Sequence, residues 1–173
     1  MADYYNPSVI WPAIPMADMT MCERLLLTGM FEHDIDDDAE TISFHTWTGV
    51  NDMPEFERDE VEQVLNIDDG FETNAHRLLT EAMAHAGNGG EVICPDLSTT
   101  SYEGLLQDII KRSTHLNYIT VETSFMCSKM RLDGFGGMAV LITADRILGK
   151  STNDLLQDFL KEVDPDGRFD QGA

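Results

Sequence analysis

Several short stretches carry residues whose types and spacing could do chemistry. Ala144-Asp145-Arg146-Ile147-Leu148-Gly149-Lys150-Ser151 fits a permissive phosphate-loop pattern. In such a loop backbone N–H groups wrap phosphates, the lysine reaches the outer ones and the hydroxyl holds Mg²⁺. Gly149, Lys150 and Ser151 would then bind a nucleotide, with the glycines of Gly134-Phe135-Gly136-Gly137 close by. Three features count against this reading. Arg146, Ile147 and Leu148 stand where small residues are needed, and Ala144 does not readily take a positive φ. One predicted helix follows, with no strand to supply an acid for the metal. The competing expectation is a strand-to-helix connection with Ser151 or Thr152 as N-cap.

Cys127 sits near Lys129 and Arg131, and nearby cations can activate a thiol. A catalytic cysteine also needs a positioned base. His33, His45, His76, His85 and His115 show no diagnostic spacing to it, so a structural thiol is the simpler expectation. The cysteines and histidines form no zinc-ligand pattern. Asp34-x-Asp36-x-Asp38 imitates the start of a calcium loop, but Ala39 and His45 occupy the positions that need glycine and a bidentate glutamate. No metal or cofactor is expected.

The acids themselves are the stronger signal. The chain has 173 residues and a formal net charge of −21. Residues 1–110 hold 23 Asp and Glu against Arg24, Arg58 and Arg77, whereas residues 111–173 are nearly balanced. Within residues 32–72 there are 15 acids and one base, Arg58. Such a field repels nucleic acid and anionic membranes and attracts basic partners. For the same reason Lys111, Arg112, Lys129, Arg131, Arg146 and Lys150 read as local charge compensation rather than a nucleic-acid patch.

Ile35, Ile42, Phe44, Trp47, Val50, Met53, Phe56, Val61 and Leu65 interleave with the acids, so the segment can fold and hold its carboxylates in fixed places. The expected partner-binding face comprises Asp34, Asp36, Asp37, Asp38, Glu40, Asp52, Glu55, Glu57, Asp59, Glu60, Glu62, Asp68 and Asp69. Carboxylates held like phosphates suit the basic groove of a nucleic-acid-binding protein, which would be blocked without catalysis. In composition alone this resembles DNA-mimic inhibitors of the anti-restriction or anti-CRISPR kind. Acidity that only solvates the chain, as in a halophilic or structural subunit, is the competing expectation.

The elements that must position these residues follow from length and periodicity. The length suits one domain. No apolar run is long enough to cross a membrane, the N-terminus lacks the pattern of a secretory signal, and three widely spaced cysteines point to reduced thiols in a cytoplasmic setting. Residues 1–17, with Pro7, Pro12, Pro15 and several aromatics, predict an extended arm laid over the domain or against a partner, including a second copy of the chain. Residues 18–163 form the domain and 164–173 a frayed tail.

Thr20-x-x-Glu23 predicts a capping box opening a helix over 20–31, and Thr100-x-x-Glu103 another over 101–113. Apolar stripes predict helices at 58–66, 72–86 and 152–163, the last packed through Leu155, Leu156, Phe159, Leu160 and Val163. Residues 33–40 read as an acidic loop, 41–47 as a strand and 92–94 as a short one. The centre is a hairpin of 117–126 with 138–143, the second strand so apolar that cover on both faces is expected. The predicted fold is α+β, helices on a small, mainly antiparallel sheet.

Overall fold

The computed structural model describes residues 3–67, 70–87, 89–98, 100–131 and 134–165. Its first departure from expectation is at the N-terminus. Tyr4–Tyr5 (β1), Ser8–Trp11 (β2) and Ile14–Pro15 (β3) are strands, and β2 is hydrogen-bonded on both sides inside the main sheet. The segment is therefore not an arm over the domain. Ile10 and Ile14 alternate into the core, and the prolines stand between or at the ends of the short strands, where the ladder needs no N–H from them.

After a 3-10 turn at Met16–Asp18 comes α1, Met21–Met30. Its capping box forms as the sequence predicts: Thr20 accepts from the Glu23 backbone, and Glu23 accepts from the Thr20 N–H. Glu32–Asp36 is a strand (β4), not the expected loop, because β5, Thr41–Thr46, offers it a full ladder from Glu32↔His45 to Asp36↔Thr41. Phe56–Glu57 (β6), Arg58–Leu65 (α2) and Asn74–Ala86 (α3) follow. Gly87 ends α3 at φ 62 and ψ −164, not the expected left-handed cap but an extended positive-φ conformation open to glycine.

Val92–Ile93 (β7) pairs with β6 as a separate small sheet. α4 spans Tyr102–Arg112, but its N-cap is Ser101, so the expected Thr100 box is not made. Ser101 Oγ instead donates to Glu103, while the Thr100 N–H bonds Leu97 O. Tyr118–Cys127 (β8) and Gly136–Thr143 (β9) form the predicted hairpin, in register from Tyr118↔Thr143 to Phe125↔Gly136. Ile147–Ser151 (β10) turns back on β9, and Thr152–Val163 (α5) completes the described chain.

The fold is α+β, as predicted, but the sheet is large: β10-β9-β8-β2-β5 with β4 on the outer edge of β5, β1 extending along β8 and β3 along β5. Every pairing is antiparallel. The inner face, with Ile10, Ile42, Phe44, Ile119, Val121, Val140 and Ile142, packs against Leu26, Leu27, Leu79, Leu105, Leu106 and Ile109 of the helix layer. Each such side chain contributes about 1.5–3 kcal/mol on burial.

The outer face is open. β9 is not covered on both sides: Val140 and Ile142 are buried, while Ala139 and Leu141 are exposed. Register lines Trp11, Thr120, Leu141 and Leu148 across this face, with Val9, Glu122, Ala139 and Lys150 in the next row. Glycines just before β9 and in its first residues serve close approach. A Cβ on Gly137 would lie 3.0 Å from Thr123 O, and one on Gly134 would lie 2.8 Å from Cys127 Cβ.

Candidate acidic interaction surface

β4 sets the geometry of the first acidic group. Glu32, Asp34 and Asp36 pair with His45, Ser43 and Thr41, which face away from the buried Ile42 and Phe44. The three acids therefore share the outer face of the sheet edge. Their repeat is about 6.8 Å, two residues of strand. The axial phosphate repeat of one DNA strand is about 3.4 Å, so they match every second step. Asp37, Asp38 and Glu40 continue the run in the turn that follows, all exposed. Asp36 Oδ1 accepts from the N–H groups of Asp38 and Ala39 at 3.1 and 3.0 Å, which fixes that turn. The calcium-loop likeness dissolves here, since its first residues lie on a strand and Asp36 holds the turn.

His45 lies between two of these acids, 3.8 Å from Glu32 Oε2 and 3.8 Å from Asp34 Oδ2. Among the described residues no Lys or Arg forms an ion pair with any acid of residues 32–40.

The second group sits in the helix layer. Asp52 and Glu55 lie exposed in the connection between β5 and β6, Glu57 is the N-cap residue of α2, and Asp59, Glu60 and Glu62 lie on α2. Glu57, Asp59 and Glu91 line a cleft of about 570 Å³ with Arg58, Gly89 and Gly90. The Arg58 guanidinium is already used, donating to Gly90 O at 2.5 Å and Gly87 O at 2.6 Å beyond the end of α3. It also lies 3.6 Å from Glu62. The face expected as one surface thus divides into an outer-sheet group and a helix-layer group. Asp68 and Asp69 lie outside the described residues.

The nucleotide alternative loses its loop. Residues 147–151 are strand, Gly149 faces Val140 in the ladder, and Thr143 and Arg146 close the turn before it. Ser151 caps α5, its hydroxyl engaged with Asp154. Lys150 is paired with Asp158, which raises the ammonium pKa and lowers that of the carboxyl. A bound phosphate would have to displace all of these. Cys127 is a buried residue ending β8.

Two polar clusters had no signal in the sequence because their members are far apart along the chain. Glu23, fully buried on α1, accepts from Arg112 Nη2 of α4 at 2.5 Å. Asp18 accepts from Ser113 Oγ at 2.6 Å and faces His115 Nδ1 at 3.0 Å. That serine, aspartate and histidine do not form a catalytic relay. The hydroxyl donates to the carboxylate and takes backbone N–H groups from His115 and Leu116, so the imidazole is not positioned as its base. The cluster ties the end of α4 to the turn before α1. Among the described residues no group of three or more His, Cys, Asp or Glu is arranged to hold a metal ion.

No protein-family model matches this chain, and neither a curated protein nor a solved structure matches it. The fold class is α+β, one domain with one open sheet face.

Proposed function

We propose that this chain is a non-enzymatic binding protein whose β4 acids and following turn occupy the basic groove of a nucleic-acid-binding protein and exclude its nucleic acid. The observation that supports this reading is the exposed outer row Glu32, Asp34 and Asp36, continued by Asp37, Asp38 and Glu40, with no cationic side chain of the described fold neutralising it. A strand holds its carboxylates at fixed spacing with little freedom to lose on binding, unlike a flexible acidic tail. Opposed potentials speed encounter and set register more than they add affinity, so binding of this kind weakens as salt rises.

The test is affinity capture from host lysate at low and moderate salt, with a Glu32→Gln, Asp34→Asn, Asp36→Asn, Asp37→Asn, Asp38→Asn variant as comparison. The expected result is a basic DNA- or RNA-binding protein retained by the parent, released by added nucleic acid and lost with the variant. Equal capture by the variant, or no competition by nucleic acid, would overturn the proposal. Strong stabilisation by molar salt with no basic partner would instead favour acidity that only solvates the fold.

A further inference from the structure

α5 is amphipathic, and among the described residues nothing covers its apolar stripe. Leu155, Leu156, Phe159 and Val163 are 42%, 58%, 57% and 65% exposed, and no residue of the helix is buried. The predicted core stripe is real as a stripe and absent from the core. The helix is nonetheless fixed at its start. Thr152 Oγ1 accepts from the Gly137 N–H, Ser151 and Asp154 form a capping box, and Lys150 pairs with Asp158.

The sheet edge beside α5 is also bare. β10 pairs on one side only, and its Ile147 and Leu148 are exposed. The two edges of the sheet contrast. β4 bears an acid at every second position, a pattern that discourages edge association, whereas β10 carries one charge, Lys150.

We infer that α5 and the adjoining β10 edge are the surface through which two copies of this chain form a two-fold dimer. α5 packs antiparallel on its counterpart, with the axis passing between Leu156 and Phe159. In that register Leu156 meets the partner's Phe159, with Leu155 and Leu160 on the two flanks of the contact, while Asp154, Asp158 and Lys161 stay on the far side of the helix beside Lys150. The apolar stripe thus meets its own copy, as a self-complementary contact requires. The antiparallel order also sets the positive end of each helix dipole near the negative end of the other.

Charge and area both suit a second copy at this place. Residues 147–163 hold Lys150 and Lys161 against Asp154, Asp158 and Glu162, close to balance in a chain of net charge −21. The acids of β4 lie at the opposite sheet edge, roughly 24 Å away at about 4.8 Å per strand, some three Debye lengths in physiological salt. A copy approaching α5 therefore avoids the strongest part of its twin's field. Leu141, Leu148, Leu155, Leu156, Phe159, Leu160 and Val163 together offer roughly 500–600 Å² of apolar surface, the apolar share of an interface of about 800 Å² per partner.

This inference does not rest on the acidic-binding reading, and salt separates the two. The experiment is sedimentation velocity of the full chain across a range of concentrations, at low and at moderate salt. The expected result is a concentration-dependent dimer that strengthens with salt, because salt screens the residual repulsion of two acidic chains, while capture of a basic partner would weaken. Leu156→Gln with Phe159→Gln should raise the dimer dissociation constant about tenfold or more and leave the circular dichroism of the monomer unchanged, since both positions are exposed. A monomer under every condition would overturn the inference and leave the stripe to a different partner. A dimer indifferent to Leu156→Gln/Phe159→Gln would overturn it as well.

Discussion

Arg112→Ala should be among the most destabilising single changes in this protein, for an electrostatic reason. Glu23 is fully buried, and its Oε2 accepts from the Thr20 N–H at 2.9 Å, the Thr20 hydroxyl at 3.0 Å and Arg112 Nη2 at 2.5 Å. Its other oxygen has no hydrogen-bond partner among the described residues. The Arg112 side chain, 16% exposed, also donates to Asp108 O at 2.7 Å and lies 5.2 Å from the Phe71 ring centre. Removing the guanidinium strands a carboxylate in the core, which costs about 3–5 kcal/mol. At about 2–4 °C per kcal/mol for a domain of this size, Tm should fall by roughly 6–20 °C.

Glu23→Gln keeps the side chain's length and an acceptor for the helix cap, so it should cost less, about 1.5–3 kcal/mol for the lost charged hydrogen bond. The double variant completes a cycle, and its cost should fall short of the sum of the singles by well over about 0.5 kcal/mol. Urea unfolding followed by far-UV circular dichroism is the assay. Tryptophan emission would report poorly, because Trp11 and Trp47 are already 57% and 71% exposed in the fold. Arg112→Ala costing under about 1 kcal/mol, or additivity in the cycle, would refute the reasoning that the pair is a coupled buried unit.

Three further outcomes follow from the same structure. Gly29→Ala, which would stabilise an ordinary helix interior, should here cost about 1–3 kcal/mol, because its Cβ would meet the Phe56 ring at 2.5 Å; a rise in Tm would contradict that packing. Asp154 and Asp158 have pKa values held below 3.8, mainly by the Ser151 hydroxyl and by Lys150 respectively, so their contribution to α5 is present above that pH and lost as pH falls through the lowered values. Amide chemical shifts of residues 152–160 should therefore hold steady down to about pH 4 and change only below it, and melting of α5 well above that pH would count against the cap. Neutralising Glu32, Asp34 and Asp36 together should raise Tm modestly at low salt by relieving their mutual repulsion, with the gain fading as salt is added; a loss of stability would mean that the acids hold the edge strand in place.

What the sequence determined by itself is what forms within a few residues. The Thr20–Glu23 box, the Gly87 stop and the Ser151 cap of α5 are local hydrogen-bond and backbone events, and all three are legible. The helix periods at 58–66, 72–86 and 152–163 and the turn-back of 117–126 on 138–143 are legible for the same reason. The Thr100 box failed because a second hydroxyl one residue on, Ser101, competes for Glu103.

Tertiary structure decided the rest. Residues 4–15 read as an arm because nothing local shows that Val121 and Thr46 lie waiting on either side of β2. Residues 33–40 read as a loop, yet Glu32–Asp36 is strand because the partner ladder on β5 outweighs the low strand preference of acids. Periodicity marked the apolar stripe of α5 and the outer residues of β9, yet it cannot say whether an apolar face meets a core. That depends on which other elements arrive beside it. Among the described residues the helix layer covers only the inner face of the sheet, which leaves the apolar stripe of α5 and the β10 edge exposed. The carboxylates followed the same rule: their number was written in the chain, but their division between an outer sheet edge and a helix-lined cleft was set by strand register and helix packing.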